Sequence, residues 1–175
     1  GGGRTDGSGE AGGGDGGGAG DASDAVTEMS DEEKAQLLRL SMNSDVVLAI
    51  KKWWRSLPGA DEGSLGKGAY MTLARKLQYA LGDAYDPVES AQVAEDDWVL
   101  ETEEGVSSLT FTKFYHNLFH LVHKLNPESA ATDYVDFLEH TLVHVQNVSE
   151  EMLSQPFTSK KERDKIISEL GIDWD

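Results

Sequence analysis

Two consecutive amphipathic stripes constrain the fold of this chain more than any other feature. In the segment 110–125, Phe111, Phe114, Leu118, Leu121, Val122 and Leu125 fall on one face when successive residues advance by about 100°. From 134 to 148, Tyr134, Phe137, Leu138, Thr141, Val145 and Val148 do the same. Only a short connection, "NPESAA", lies between them, so two helices with apolar stripes are expected to pack on each other. Alternating strand patterns are absent, and the predicted fold class is all-α.

Helix punctuation extends that reading. "SDEE" offers Ser30 as a cap with Glu33 reaching back, a capping box. "DPVE" repeats the device with Asp86 as cap, Pro87 in the first turn, where its missing N–H is harmless, and Glu89 closing the box. "SKKE" at Ser159–Glu162 is a third, and Gly171 stands where a helix would end. These signals predict helices over 31–42, 45–57, 68–81, 87–98, 110–125, 133–147 and 160–170, with "PGADEGSLGK" at 58–67 as a turn or linker.

Composition divides the chain in two. Twelve of the first 20 residues are glycine, and no aromatic residue precedes Trp53. Such a segment has too little apolar surface to offset its chain entropy, so residues 1–29 are expected to form a disordered acidic tail. Residues 30–175 hold every Trp, Tyr and Phe and are expected to form a single helical domain. With 15 Lys+Arg against 32 Asp+Glu, the formal charge is −17. That field repels phosphates, which argues against nucleic-acid partners and anionic membrane surfaces. No cysteine is present, so disulfides and thiolate metal sites are excluded. No apolar run approaches the roughly 20 residues of a membrane-spanning helix. Neither an apolar secretory segment nor an Arg-rich one opens the sequence, and a cytoplasmic location is expected.

The stretch "AEDDWVLETEEGVSSLTFTKF" has the outline of a calcium-binding helix–loop–helix. If "LTFTKF" closes a 12-residue loop, Leu109 takes the buried eighth position and Lys113 the twelfth. Thr102, Glu104, Val106 and Ser107 then occupy the first, third, fifth and sixth. Calcium requires oxygen ligands at the first, third and fifth positions, glycine at the sixth and a bidentate Glu at the twelfth. Lys113 puts a cation where two carboxylate oxygens are needed, so no metal or other cofactor is expected. The alternative is a looser calcium site using Asp97, Glu101, Glu103 and Glu104.

Around this loop stand Ala94, Asp97 and Trp98; then Leu109, Phe114, Leu118, Phe119 and Leu121; then Tyr134, Val135, Phe137 and Leu138. In these residues the chain resembles EF-hand-like proteins of cilia and flagella. The match runs over about residues 68–145. It implies EF-hand-like helix–loop–helix pairs with extra N- and C-terminal helices, a structural role in an axoneme or on microtubules, and no catalysis.

Other constellations have competing readings. His116, His120 and His123, and again His140 and His144, have the spacing of one helix face, which can share a metal. The first three lie opposite the Phe114 stripe and read more simply as a polar row. In "VVLAIKKWWRSL", Val46, Ile50, Trp53 and Leu57 form a stripe, with Val47 and Trp54 beside it and Lys51, Lys52 and Arg55 opposite. Either the tryptophans are core and the cations their wet face, or Lys51, Lys52, Trp53, Trp54 and Arg55 bind a partner protein with an acidic surface. Trp174 is a docking anchor or a frayed end. "GSLGKGAY" lacks the spacing of a phosphate loop, and no nucleophile–base pair appears, so no enzyme is expected. The function expected is a non-enzymatic interaction or scaffold module of a cilium or flagellum; the alternative is a calcium sensor with a non-standard acidic loop.

Overall fold

The computed structural model describes residues 2–3 and 29–174. The chain divides into two units, residues 1–36 and 37–175, and the division falls within helix α1 (Asp31–Met42). The expected tail lies outside the described residues except at 2, 3 and 29. In the first unit, the Glu33 N–H donates to Ser30 Oγ at 3.1 Å while the Ser30 N–H donates to Glu33 Oε2 at 2.8 Å. This reciprocal bonding satisfies donors that a bare helix start would leave unpaired.

In the second unit, α1 ends and seven more helices follow: α2 (Ser44–Arg55), α3 (Lys67–Leu81), α4 (Pro87–Glu101), α5 (Phe111–Leu125), α6 (Ala131–Asn147), α7 (Glu150–Leu153) and α8 (Lys160–Glu169). The protein is all-α in class, and each helix predicted from periodicity is present. Three short elements have no sequence signal: α7, and the strands β1 (Ser64–Gly66) and β2 (Ser108–Thr110). Four residues cannot display a helical stripe, and three cannot display alternation.

The strands pair antiparallel, with Ser64 opposite Thr110, Leu65 opposite Leu109 and Gly66 opposite Ser108. β1 joins α2 to α3, and β2 joins α4 to α5. The two helix–turn–helix units are therefore coupled through their connecting segments, and the facing leucines are both buried. Before β1, the chain turns through Gly59 at φ +88°, where an added Cβ would stand 2.6 Å from the Ser64 carbonyl oxygen. Only glycine fits that backbone without strain.

The caps differ in detail from their sequence signatures. Asp86 Oδ1 accepts from both Val88 and Glu89 N–H, and among the described residues no bond returns from Glu89. At α8, Ser159 Oγ accepts from Glu162 N–H, but Glu162 Oε2 bonds Thr158 through both its N–H and its hydroxyl. Those two donors hold the Glu162 carboxyl below its ordinary range, the hydroxyl most of all. Gly171 ends α8 as expected, at φ +71°, with Ile172 N–H bonding Ile167 O and Gly171 N–H bonding Ser168 O. This is the bonding of a Schellman cap.

Two apolar clusters hold the second unit together. The larger joins Val46, Ile50, Trp53 and Trp54 of α2 to Phe114, Leu118 and Val122 of α5 and to Tyr134, Leu138 and Leu142 of α6. The smaller is built on Tyr79, Tyr85 and Phe157, with Met152, Leu153 and Ile167 around them. There Tyr79 meets the other two rings edge-on at 5.0 and 5.2 Å, and Tyr85 and Phe157 exchange backbone hydrogen bonds at 2.9 and 3.0 Å. Among the described residues no helix is long and apolar enough to cross a membrane.

Candidate interaction site

Helix α2 supplies the residues that the sequence offers as a partner surface. Asn43 caps it, Oδ1 accepting from Asp45 and Val46 N–H at 3.0 and 3.3 Å. Val46, Ala49, Ile50, Trp53 and Trp54 then turn inward at helical spacing. Trp53 is 1 % exposed, and its Nε1–H donates to the Leu138 carbonyl oxygen at 2.9 Å. Trp54 packs against Phe111 at 5.5 Å and Phe114 at 5.2 Å. Both tryptophans are core. This corrects the reading in which Trp53 and Trp54 contact a partner, because indoles wedged between α2, α5 and α6 have no free face. The α2 stripe was wide enough to bury both rings.

Lys52 and Arg55 are exposed and Lys51 is half-buried. Among the described residues none of the three forms an ion pair. The structure thus separates the proposed set into two anchored tryptophans and three unpaired cations. Exposed Leu48 lies on the same outward side.

The acidic turn after α4 is built differently. The Thr102 hydroxyl, at the first ligand position of the calcium-loop alignment, donates to the Trp98 carbonyl oxygen at 2.5 Å. Val106 N–H closes the turn on Glu103 O at 3.0 Å, and Gly105 takes φ +84°. Lys113 lies in the first turn of α5, its N–H donating to Thr110 Oγ1. Asp97 and Glu101 lie on the helix, half-buried, and Glu103 and Glu104 are exposed in the turn. Among the described residues no three His, Cys, Asp or Glu side chains converge to hold a metal. The looser set Asp97, Glu101, Glu103 and Glu104 is therefore not gathered into a site. Burial raises the Asp97 carboxyl above its ordinary range, with Asp96 adding repulsion. Burial also pushes the Tyr70 phenol, which lies against Trp98, up to about 12, and Asp97 and Glu101 add to the shift.

The histidine row is not uniform. His116 and His120 are exposed, whereas His123 is half-buried with Nδ1 2.7 Å from the Tyr134 hydroxyl. Trp174 is docked rather than frayed: it stacks on His144 at 4.3 Å with planes 5° apart, and the Arg163 guanidinium lies 5.4 Å from its ring. Arg163 is itself buried, donating to the Ala80 carbonyl oxygen at 2.9 Å and pairing with Asp164.

Four residues escaped the sequence reading. Val88, Val93, Val99 and Leu100 all face outward from α4. The signal was their phase: they fall outside the strip of Ser90, Ala94 and Trp98, the positions that α4 buries. The chain matches no family model, no curated protein and no solved structure.

Proposed function

We propose that this protein is a non-enzymatic helical interaction module of EF-hand-like form, of the kind found in cilia and flagella, with no tight calcium site. The observation that carries this reading is the β1–β2 pairing, which sets Leu65 directly opposite Leu109 between two helix–turn–helix units. Paired EF-hand-type loops would meet in this way at their eighth positions. Counting from those leucines, the twelfth positions fall on Ala69 and Lys113. Neither supplies the bidentate carboxylate that calcium needs. Lys51, Lys52 and Arg55 are the proposed contact for an acidic protein surface, such as that of a microtubule, because Lys52 and Arg55 are exposed and none of the three is ion-paired among the described residues.

A calcium titration followed by Trp98 fluorescence tests the loop. No saturable change is expected at about millimolar calcium, far above the range in which sensors respond. A micromolar transition abolished by Glu101→Gln and Glu104→Gln would instead establish the calcium-sensor alternative. Microtubule co-sedimentation tests the cations. Reversing Lys51, Lys52 and Arg55 to Glu should reduce binding, most of all at low salt, and retained binding would remove this face from the proposal.

A further inference from the structure

Helices α2 and α6 share a groove of about 460 Å³. Asp45, Leu48, Ala49 and Lys52 line it from α2, at the spacing i, i+3, i+4 and i+7. Thr132, Val135, Asp136 and Glu139 line it from α6 at the same spacing. Such a set occupies one side of a helix about 100° wide, so each helix contributes an unbroken strip about two turns long. Ala49 is buried and Val135 half-buried at the bottom of the groove, and Leu48 stands 58 % exposed at its edge. The two walls differ in charge. Lys52 stands on the α2 wall, with exposed Arg55 one turn further along, whereas the α6 wall carries exposed Asp136 and Glu139. These opposite charges do not close on each other: among the described residues none of the four side chains is ion-paired or hydrogen-bonded.

We infer that the α2–α6 groove docks an amphipathic helix of a partner protein, acidic along one edge and basic along the other. The apolar stripe of such a helix would cover Leu48, Ala49 and Val135. Its acids would meet Lys52 and Arg55, and its Lys or Arg residues would meet Asp136 and Glu139. A third helix is the element whose own i, i+3 and i+4 ridges fit between two strips of this spacing. The other occupants fit less well. A second copy would set groove against groove and leave both hollows unfilled. Nucleic acid and anionic lipid would be drawn to Lys52 but repelled by Asp45, Asp136 and Glu139. Lys52 and Arg55 serve here as in the proposed cation face, on which this docking rests; the α6 wall and the helical form of the partner are new.

The test uses the full chain and fluorescein-labelled peptides of about 18 residues, roughly five helical turns, each with one Leu stripe. The first has Glu along one edge and Lys along the other, the second Lys on both edges and the third Glu on both; a fourth scrambles the first. By anisotropy the mixed-edge peptide should bind at least about tenfold more tightly than its scramble, and more tightly than either single-sign peptide. Asp136→Lys/Glu139→Lys makes both walls cationic and should move the preference to the Glu-edged peptide. Lys52→Glu/Arg55→Glu should move it to the Lys-edged one. Leu48→Ser/Val135→Ser should lose about tenfold in affinity for the mixed-edge peptide, as two aliphatic contacts are removed. Val88→Ser, an exposed aliphatic on α4, should leave it unchanged. Equal binding of the mixed-edge peptide and its scramble, or preferences that stay put in the charge variants, would overturn the inference. If the Lys51, Lys52 and Arg55 reversal still abolished microtubule binding in that case, the cation face would stand and the groove alone would fall. Sedimentation showing a dimer that Leu48→Ser/Val135→Ser dissolves would also overturn the inference, because a second copy would then occupy the groove.

Discussion

Helices α2 and α4 each enter a paired helix–turn–helix unit, and they sort their side chains in opposite ways. In α2 the large apolar residues other than Leu48 turn inward, and Trp53, Trp54 and Ile50 reach across to α5 and α6. In α4 the inward positions are Ser90, Ala94 and Trp98, and only the last is large. Four aliphatic residues of α4 are left outside. The difference follows from neighbours. α2 packs against α5, α6 and the turn before β1, whereas the main contact of α4 is α3. A helix pressed from one side can bury only a narrow strip, and small residues there let α3 approach. An element's apolar content thus does not by itself report its contribution to the core; the phase of those residues against the neighbouring helices does.

The largest expected effect breaks the α2 side of this comparison. Trp53→Ala removes a fully buried indole together with its bond to Leu138 O. It should lower unfolding free energy by about 3–5 kcal/mol in a denaturant titration. A loss below about 1 kcal/mol would mean that the α2–α6 interface carries little of the stability. The connecting turn comes next. In Gly59→Ala the new Cβ meets the Ser64 carbonyl oxygen in a left-handed conformation. A cost of roughly 1–2 kcal/mol is expected from the conformation alone, before the clash. The loss should appear together with weaker amide-exchange protection at Leu65 and Leu109, because the turn sets the β1–β2 register.

How much of this could be read from the chain follows from the same two helices. The α2 stripe was legible because Val46, Ile50 and Trp53 recur at one phase, but whether its tryptophans were core or contact depended on which helix lay over them. Sequence spacing contains no such information. The stop at Gly171 and the capping by Ser30 were legible because each is set by bonds within a few residues. The β1–β2 pairing was not, since Leu65 and Leu109 meet across 44 positions and each strand is three residues long. His123 was assigned to a polar row because its wheel position lies opposite Phe114. Its bond to Tyr134 arises from α6 wrapping around that side. The α4 face was hidden by a common assumption, that a valine or leucine on a helix faces the core.

A smaller effect is expected on the α4 side. Leu100→Ser or Val88→Ser should change stability by no more than about 0.5 kcal/mol, as surface substitutions do when no special contact is lost. Chemical unfolding of each variant beside Trp53→Ala sharpens the contrast. If Leu100→Ser costs as much as a core truncation, the outer face of α4 is covered within the chain and the comparison with α2 fails.

The smallest effect has the opposite sign. Asp97 lies half-buried at the edge of the α4 strip, its carboxyl raised above 3.8 first by burial and then by the Asp96 charge. A carboxyl in that position is harder to ionise in the folded chain than in the unfolded one. Its penalty is absent below the ordinary carboxylate value, grows as pH rises through 3.8, and is complete above the raised folded value. Asp97→Asn removes the charge and keeps the shape. It should therefore raise the melting temperature slightly at about pH 7 and leave it unchanged at about pH 3, where both chains are neutral at this position. The gain is small because the half-buried group keeps part of its surface in water, and solvent screens it. Paired thermal melts at the two pH values check the sign. A loss of stability at neutral pH would mean that the Asp97 charge has a favourable partner, and α4 would then be held by an electrostatic contact as well as by its narrow apolar strip.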